Sequence, residues 1–523
     1  MEAVLPTQPC LGLGSFDRST NLADYLLGGK DPMSVALLTL ESAFTYGELD
    51  LVSTQLADHL VAVGAQKGDR AILLSENGFF WVAAYLACLR AGMVCVPLPP
   101  NIPEKDLAFV AQQTDARFAF AQTRVVRAFP RLSSLTTVTD SELSVSSCRT
   151  SITSQASARA VPGLRAPVAG WDDLAALMFT SGSTGTPRGV MVTHGNIIAN
   201  TESVIEYLRL TAQDRIMTVL PFHYCFGTSL LHTHLRVGGT LVIDRRFMFP
   251  EKVLQRMVET ECTGFAGVPS HFQILLRRSG LAKMRFPHLR YVQQAGGHLA
   301  PTFIRELRKA LPTSAVFVMY GQTEATARLA YLPPEMLDQK LGSIGKAIPG
   351  VQLEVVDESG RPVAPGGQIG EIVARGENIA LGYWRAEEES AATFRAGALH
   401  TGDLATVDEE GFIYIVDRAK DFIKCGGKRT SCRRLEEAML ECPDLLEAAV
   451  VGIPDEVLGE AVKAFVVHRD KKADGLETRF AAFCRERLPI NWIPKEIVVL
   501  ESLPKNSAGK VVKSSLRRLC GGN

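Results

Sequence analysis

From residue 34 onward, short apolar runs of strand length alternate with stretches of helical periodicity, and this alternation constrains the fold more tightly than any other feature. Arg70-Ala-Ile-Leu-Leu-Ser precedes the helical run Phe80-Trp-Val-Ala-Ala-Tyr-Leu-Ala-Cys-Leu-Arg, and a glycine stop then leads into Met93-Val-Cys-Val-Pro-Leu. Such a β-α-β succession predicts a parallel sheet covered by helices. The rhythm returns at Thr240-Leu-Val-Ile-Asp, a helix near 250–261, and Gly264-Phe-Ala-Gly-Val-Pro. The expected class is therefore α/β, with helix-covered sheets making up a large N-terminal domain. At 523 residues the chain exceeds what one core supports, so a second domain is expected. A Gly-rich region of short strands ends in Glu409-Glu-Gly-Phe-Ile-Tyr-Ile-Val-Asp-Arg, a turn feeding an alternating strand, and a compact segment with its own helix-strand pattern follows. The boundaries expected are 1–417, a hinge at 418–420, and a small α+β domain at 421–523.

Charge narrows the partners. Lys plus Arg and Asp plus Glu both number 56, so the overall charge recruits neither nucleic acid nor an anionic membrane surface. Hydrophobic residues at 46% and charged residues at 21% are those of a globular protein. No basic segment followed by an apolar stretch opens the sequence, and no run of 18 or more apolar residues predicts a membrane span. A cytoplasmic location is expected. The 11 cysteines include no CxxC pair, which predicts reduced structural thiols and not a metal site. The Ser-, Ala- and Arg-rich stretch 144–170 reads as an irregular surface excursion.

The first segment with chemical content is a loop of hydroxyls and glycines, Thr180, Ser181, Gly182, Ser183, Thr184 and Gly185, closing on Arg188. Small residues let backbone N–H groups and hydroxyls close around an oxyanion, so a polyphosphate is the natural guest; a flexible Ser/Gly turn draws on the same residues. The loop lacks the Walker pattern. Its flanks, 176–179 and 189–192, read as two strands, whereas a Walker loop opens directly into a helix.

This loop resembles the signature of the adenylate-forming enzymes, the superfamily of acyl- and aryl-CoA synthetases, nonribosomal adenylation domains and beetle luciferases, with Arg188 where lysine is commoner. Tyr320-Gly321-Gln322-Thr323-Glu324 resembles the family's Tyr-Gly-x-Thr-Glu motif. The resemblance implies that Thr323 touches the AMP phosphate and that Glu324 holds Mg²⁺, a role suited to a hard oxygen ligand beside polyphosphate. Ala295-Gly296-Gly297-His298 resembles the segment on which adenine packs, with His298 a local contact. The stretch 399–403 implies that Asp403 receives the ribose hydroxyls. The stretch 417–428 resembles the family hinge, with Arg418 near the ribose, Lys420 at the pivot of a mobile C-terminal domain, and Lys424, Gly426 and Gly427 lining a thiol tunnel. Leu503-Pro504-Lys505-Asn-Ser-Ala-Gly509-Lys510 resembles the C-terminal motif whose last lysine completes the adenylation site. Matches in this order cover nearly the whole chain.

By the same resemblance, an acyl pocket lined by Phe222, Tyr224, Cys225, Phe226, Ser229, Val268 and Gln294 would bind the acid, with Thr228 and Gln293 also in its wall. Amino-acid-activating members carry an Asp in the segment 221–229, and none stands there, so the acid expected lacks a free α-amino group, because an unpaired buried ammonium is costly. Tyr224 stands where many CoA ligases have His. The reading is ATP- and Mg²⁺-dependent activation of a carboxylic acid to acyl-AMP, followed by transfer to coenzyme A. Its alternatives are loading of a separate acyl carrier protein through its phosphopantetheine and, from another class, a non-catalytic nucleotide- or acyl-binding protein on the same fold.

Overall fold

A computed structural model describes residues 17–142, 169–181, 187–418, 422–425, 428–456, 458–469, 475–506 and 509–520. Gly182, Ser183, Thr184, Gly185, Lys420, Gly426 and Gly427 lie outside the described residues, as does the excursion at 144–170 apart from Ala169 and Gly170.

Two sheets carry the large domain. In the six-stranded one, Thr136–Thr139, Phe118–Ala121, Arg70–Leu74, Val94–Leu98 and Leu174–Ser181 run parallel, and Pro187–Thr193 closes the edge as an antiparallel hairpin. The nine-stranded sheet has a parallel centre running from Ala315–Tyr320 through Tyr291–Gln294, Gly264–Gly267, Arg215–Thr218 and Thr240–Ile243 to Val35–Leu38, with antiparallel strands at both edges. Helices Tyr46–Ala62, Phe79–Arg90, His194–Leu208 and Cys225–Val237 share one apolar cluster with strands of both sheets. Helix Phe79–Arg90 is buried at every position from Phe79 to Leu89, the mark of an inner layer with no solvent face. The outer helix Pro301–Ala310 buries Phe303, Ile304 and Leu307 and turns its charges outward.

An antiparallel sheet of Val351–Val356, Gly370–Gly376, Phe394–Arg395, Ala398–Val407 and Ile413–Arg418 follows. After Arg418 the chain joins a different sheet, built from Phe422–Cys425, Lys428–Ser431, Leu445–Asp455, Gly459–His468 and Glu496–Leu500 around its own apolar cluster. The chain thus has the large-plus-small α/β architecture that the sequence predicts.

Three buried histidines in the inner layer are held neutral. His194 Nδ1 accepts from the Leu22 N–H at 3.0 Å, His232 Nε2 meets the Tyr85 hydroxyl at 2.9 Å, and His234 bridges the Leu230 carbonyl (2.9 Å) and the Tyr291 hydroxyl (3.0 Å). Burial pushes their pKa values from 6.5 down to about 4, about 3 and about 4. Below pH 6.5 the unfolded chain therefore binds more protons than the folded one, and stability drains away as pH falls towards 4. Each histidine contributes a slope of up to about 1.4 kcal/mol per pH unit. Urea-unfolding midpoints recorded from neutral pH down to about pH 5 are expected to fall steadily; a flat profile would contradict the neutral burial of these rings.

Candidate active site

The site is organised by one turn. Strand Ala315–Tyr320 reverses and returns as Ala330–Leu332, pairing Val318 with Leu332 and Tyr320 with Ala330. To do so within a few residues, the backbone places Thr326 at φ 56° and Ala327 at φ 104°, a region that costs an L-residue on the order of 1–3 kcal/mol. A Cβ on Gly321 would lie 2.0 Å from the Ala327 carbonyl oxygen, so this position of the motif admits glycine for packing reasons alone. Asn378, 2% exposed, pins the turn: its Nδ2 donates to the Ala325 carbonyl at 3.1 Å and to the Arg328 carbonyl at 2.9 Å. Thr326 Oγ1 donates to the Asn378 carbonyl at 2.7 Å, and Asn200 Nδ2 reaches the Arg328 carbonyl at 3.2 Å.

From this turn three side chains reach out to different elements. The Tyr320 hydroxyl donates to Asp403 Oδ2 at 2.6 Å, Thr323 Oγ1 donates to Cys225 Sγ at 3.3 Å, and Glu324 Oε1 accepts from the Tyr383 hydroxyl at 2.8 Å. Asp403 is 5% exposed on a strand whose backbone pairs with Arg418; Gly402 before it takes φ 72°. The side chains of Arg418 and Ser181 are outside the described residues, although Thr180 and Ser181 pair with Arg188 and Pro187 across the hairpin. Arg188 sits over the Tyr383 ring at 5.5 Å and 3.8 Å from Glu389. Tyr383 thus joins the strand-borne cation to Glu324. The sequence carried no motif around Tyr383 to single it out. Gln322 is half-buried at the head of the turn.

The acyl side is built on helix Cys225–Val237. Tyr224 is its N-cap residue, and its hydroxyl lies 3.7 Å from where a Cβ on Gly296 would stand; that Cβ would also press within 2.9 Å of Val268 Cγ1, and Gly296 takes φ 80°. Gly297 lies alongside Pro269. Phe222 is fully buried against Trp81, behind the helix start, while Phe226 faces the turn that follows Glu324. The Thr228 and Ser229 hydroxyls are used within the helix, donating to the Phe222 carbonyl at 2.5 Å and the Phe226 carbonyl at 2.7 Å. Strand alternation turns Gln293 and Gln294 to opposite faces. Gln294 Nε2 donates to the Gly297 carbonyl at 2.8 Å, away from the face that packs on the helix. Burial raises the Cys225 thiol above its ordinary pKa, with the Thr323 hydrogen bond pulling the other way, so it is a neutral lining group.

The C-terminal domain closes over this face. Ser270 Oγ donates to the Gly509 carbonyl at 3.1 Å, and Gly509, at φ 79°, would bring a Cβ within 3.2 Å of Val268 Cγ2. The turn that carries Lys510 therefore rests on the acyl segment, tied by the Lys510 N–H to Asn506 Oδ1 at 3.0 Å. Lys424 is not part of this cluster; it is exposed on its strand, its N–H bonded to Glu460. Between the domains, Asp417 Oδ2 accepts from Ser431 Oγ (2.9 Å) and the Arg433 N–H (3.2 Å). Arg433 donates to His298 Nδ1 at 2.6 Å, and His298 Nε2 lies 2.5 Å from Glu437 Oε1. Burial, then the Arg433 charge, lowers His298 to about 4; Glu437, which burial would raise, is held at about 2 by His298 and Arg433. His298 is thus a neutral link in an interdomain chain.

The resident metal implied by the motif resemblance finds an oxygen donor in Glu324, half-buried beside the loop expected to hold phosphate. No group of three His, Cys, Asp or Glu side chains among the described residues forms a protein cage. A single carboxylate completed by phosphate oxygens is the pattern of Mg²⁺ sites, and Glu324 fits it.

A split α/β body with these clusters at its junction with a small closing domain defines an AMP-binding enzyme. Residues 29–384 match that family and residues 434–510 match the AMP-binding enzyme C-terminal domain, and the chain belongs to this family. It is similar to a feruloyl-CoA synthase of Amycolatopsis sp (33% identical over 496 residues, 94% of this chain and 96% of that protein). It is also similar to the medium-chain fatty-acid–CoA ligase of Escherichia coli K12 (31%, 95% of this chain and 90% of that protein). Among solved structures, o-succinylbenzoate CoA synthetase from Bacillus subtilis with its acyl-adenylate OSB-AMP superposes with a TM-score of 0.81 at 28% identity, over 95% of this chain and 98% of that one. A further structure of that enzyme holds ATP and a magnesium ion.

Replacing Asn378 by Ala removes the side-chain donor of the Ala325 carbonyl and one of the two of the Arg328 carbonyl, and so loosens a strained turn. A loss of about 2–4 kcal/mol is expected, seen as a lower melting temperature. Diphosphate release should fall at least about tenfold, since Thr323 and Glu324 ride on that turn; an unchanged rate would show that the turn holds its shape without Asn378.

Proposed function

We propose that this protein is an AMP-forming acid–thiol ligase that couples a carboxylic acid to coenzyme A at the expense of ATP. The supporting observation is the seating of the Lys510 turn on Val268 and Ser270 of the acyl segment, which brings an exposed lysine to the face where two anions are to meet. One carboxylate oxygen attacks the α-phosphorus, the bond to the β-phosphate oxygen breaks, and diphosphate leaves. Fixed positive groups and hydrogen-bond donors are the main requirement for such a transfer. Lys510, a mobile point charge on a long stem, bridges the carboxylate and α-phosphate, while Thr323 donates to the α-phosphate. The loop 180–188, with Arg188, holds the departing diphosphate, and Asp403 receives the ribose hydroxyls. Mg²⁺, held by Glu324, supplies charge neutralisation at the phosphates when bound.

In the second half-reaction the coenzyme A sulfur attacks the acyl carbon, the thioester forms and AMP departs. Rotation of residues 421–523 about Lys420 withdraws Lys510 and brings Lys424, Gly426 and Gly427 to the thiol path. A reducing, cytoplasmic setting is supported by the nine free cysteines among the described residues. Among those residues no helix is long and apolar enough to cross a membrane.

Diphosphate release and hydroxylamine trapping across fatty, aryl and amino acids, with and without coenzyme A, test this reading. Acid-dependent diphosphate and acyl-CoA are expected. Acyl-AMP without acyl-CoA would point to a carrier-protein acceptor, and no turnover with any acid would defeat the ligase reading. Lys510→Ala should abolish acyl-AMP formation and retain thioester synthesis from supplied acyl-AMP; loss of both would defeat the division of labour.

A further inference from the structure

We infer that the acid used by this enzyme carries a second carboxylate, remote from the one that is activated, and that Arg328 receives it. This rests on the acid-activating reading above and names the substrate class of the same site.

Arg328 follows the strained turn and points inward. It is 1% exposed, among the largest fully buried side chains of the protein. Its Nε and Nη2 make no hydrogen bond, and Nη1 has a single long contact, 3.4 Å, to the Ala327 carbonyl. No ion pair to Arg328 occurs among the described residues. Glu324, on the same turn, is engaged by Tyr383. The Tyr207 phenol donates to Met319 Sδ at 3.1 Å, stays neutral because burial pushes it up to about 12, and turns its oxygen towards Arg328 as a hydrogen-bond acceptor, an uncharged partner. What the guanidinium does meet is the face of Phe226, 4.0 Å away. An aromatic face attracts a cation but accepts none of its five N–H donors. A buried, permanently charged guanidinium that has no ion-pair partner among the described residues and N–H donors to spare is a costly feature unless a bound anion completes it.

Its position ties it to the acid. Phe226 is adjacent to Cys225, whose sulfur accepts from Thr323 at the reacting end. The first two residues of this helix thus touch Thr323 and the guanidinium in turn. Gln293 supplies a second, independent observation: it is 1% exposed, and its amide has no well-formed hydrogen bond, the nearby Tyr291 phenol being its weak polar neighbour. It lies on the sheet face that packs against this helix, across from Ala266 and Phe317, and the Phe317 ring is 6.1 Å from that of Tyr207. The Thr228 and Ser229 hydroxyls are already committed to backbone carbonyls. Two buried polar groups with hydrogen-bonding capacity to spare, one of them cationic, therefore lie beside the helix expected to line the acyl pocket. A planar fork of N–H donors matches a carboxylate in particular.

The test compares acids of matched length and shape in the wild-type protein: adipate with hexanoate and with 6-hydroxyhexanoate, suberate with octanoate, and terephthalate with 4-methylbenzoate, each read by acid-dependent diphosphate release. The carboxylate-ended member of at least one set should exceed its partners in kcat/KM by about a hundredfold or more, because a site built to pair a polar group rejects analogues lacking it. Arg328→Met should remove that advantage while the methyl-ended acids hold or gain, and Arg328→Lys should keep part of it; the wild-type panel stands even where a variant folds poorly. Methyl- or hydroxyl-ended acids equalling the diacids would overturn the inference and leave the ligase reading intact. Failure of every acid would overturn both.

Discussion

The turn between strands Ala315–Tyr320 and Ala330–Leu332 is the constraint on which the rest of the site depends. Its backbone passes so close to itself that Gly321 has no room for a Cβ beside the Ala327 carbonyl, and two L-residues sit in left-handed conformations. Strain of that kind persists only where the surroundings over-determine it, and Asn378, Asn200 and Thr326 provide that fixation with buried hydrogen bonds. Because the turn is rigid, Tyr320, Thr323, Glu324 and Arg328 leave it in four fixed directions, towards Asp403, Cys225, Tyr383 and Phe226. The groups proposed to meet nucleotide, metal and acid are thereby referred to one piece of backbone.

What the sequence made legible was what local chemistry dictates. The β-α-β alternation was readable because buried parallel strands must be apolar and short, and the hairpin around 180–188 because its flanks lack a helix start. Thr323, Glu324, Asp403 and Lys510 stood out because the short segments that carry them resemble motifs of the adenylate-forming enzymes. Residues whose roles depend on distant packing did not stand out. Tyr383 comes within reach of Glu324 through backbone bonds of its segment to Glu324, Met191 and Gly189, and Asn378 acts across 50 residues. Arg328 reads as an ordinary charge until burial removes its solvent. Gln293 and Gln294 are neighbours in sequence, and only strand alternation separates the one facing the pocket helix from the one bonded to Gly297.

Polar groups tie the small domain to the large one, alongside the packing of helix Pro269–Arg278 on strand Leu445–Asp455 and of Leu440 on the large domain's apolar cluster. Asp417 holds the start of helix Cys432–Met439 through Ser431 and the Arg433 N–H, and Arg433, His298 and Glu437 form a chain across the boundary. Ser270 adds a neutral bond to the Gly509 carbonyl, next to the lysine proposed to complete the adenylation site.

A seam of this composition behaves unlike a hydrocarbon one. When apolar faces part, all the water they exclude must return to surfaces that gain nothing from it, whereas Arg433, Glu437 and the His298 ring recover hydration as they separate, which offsets much of the attraction they lose. In the proposed cycle, polar links of this kind would cost less to part than a hydrocarbon face of the same size. The chain at His298 is in this sense a clasp suited to release: specific in its partners, yet returned to water when they separate.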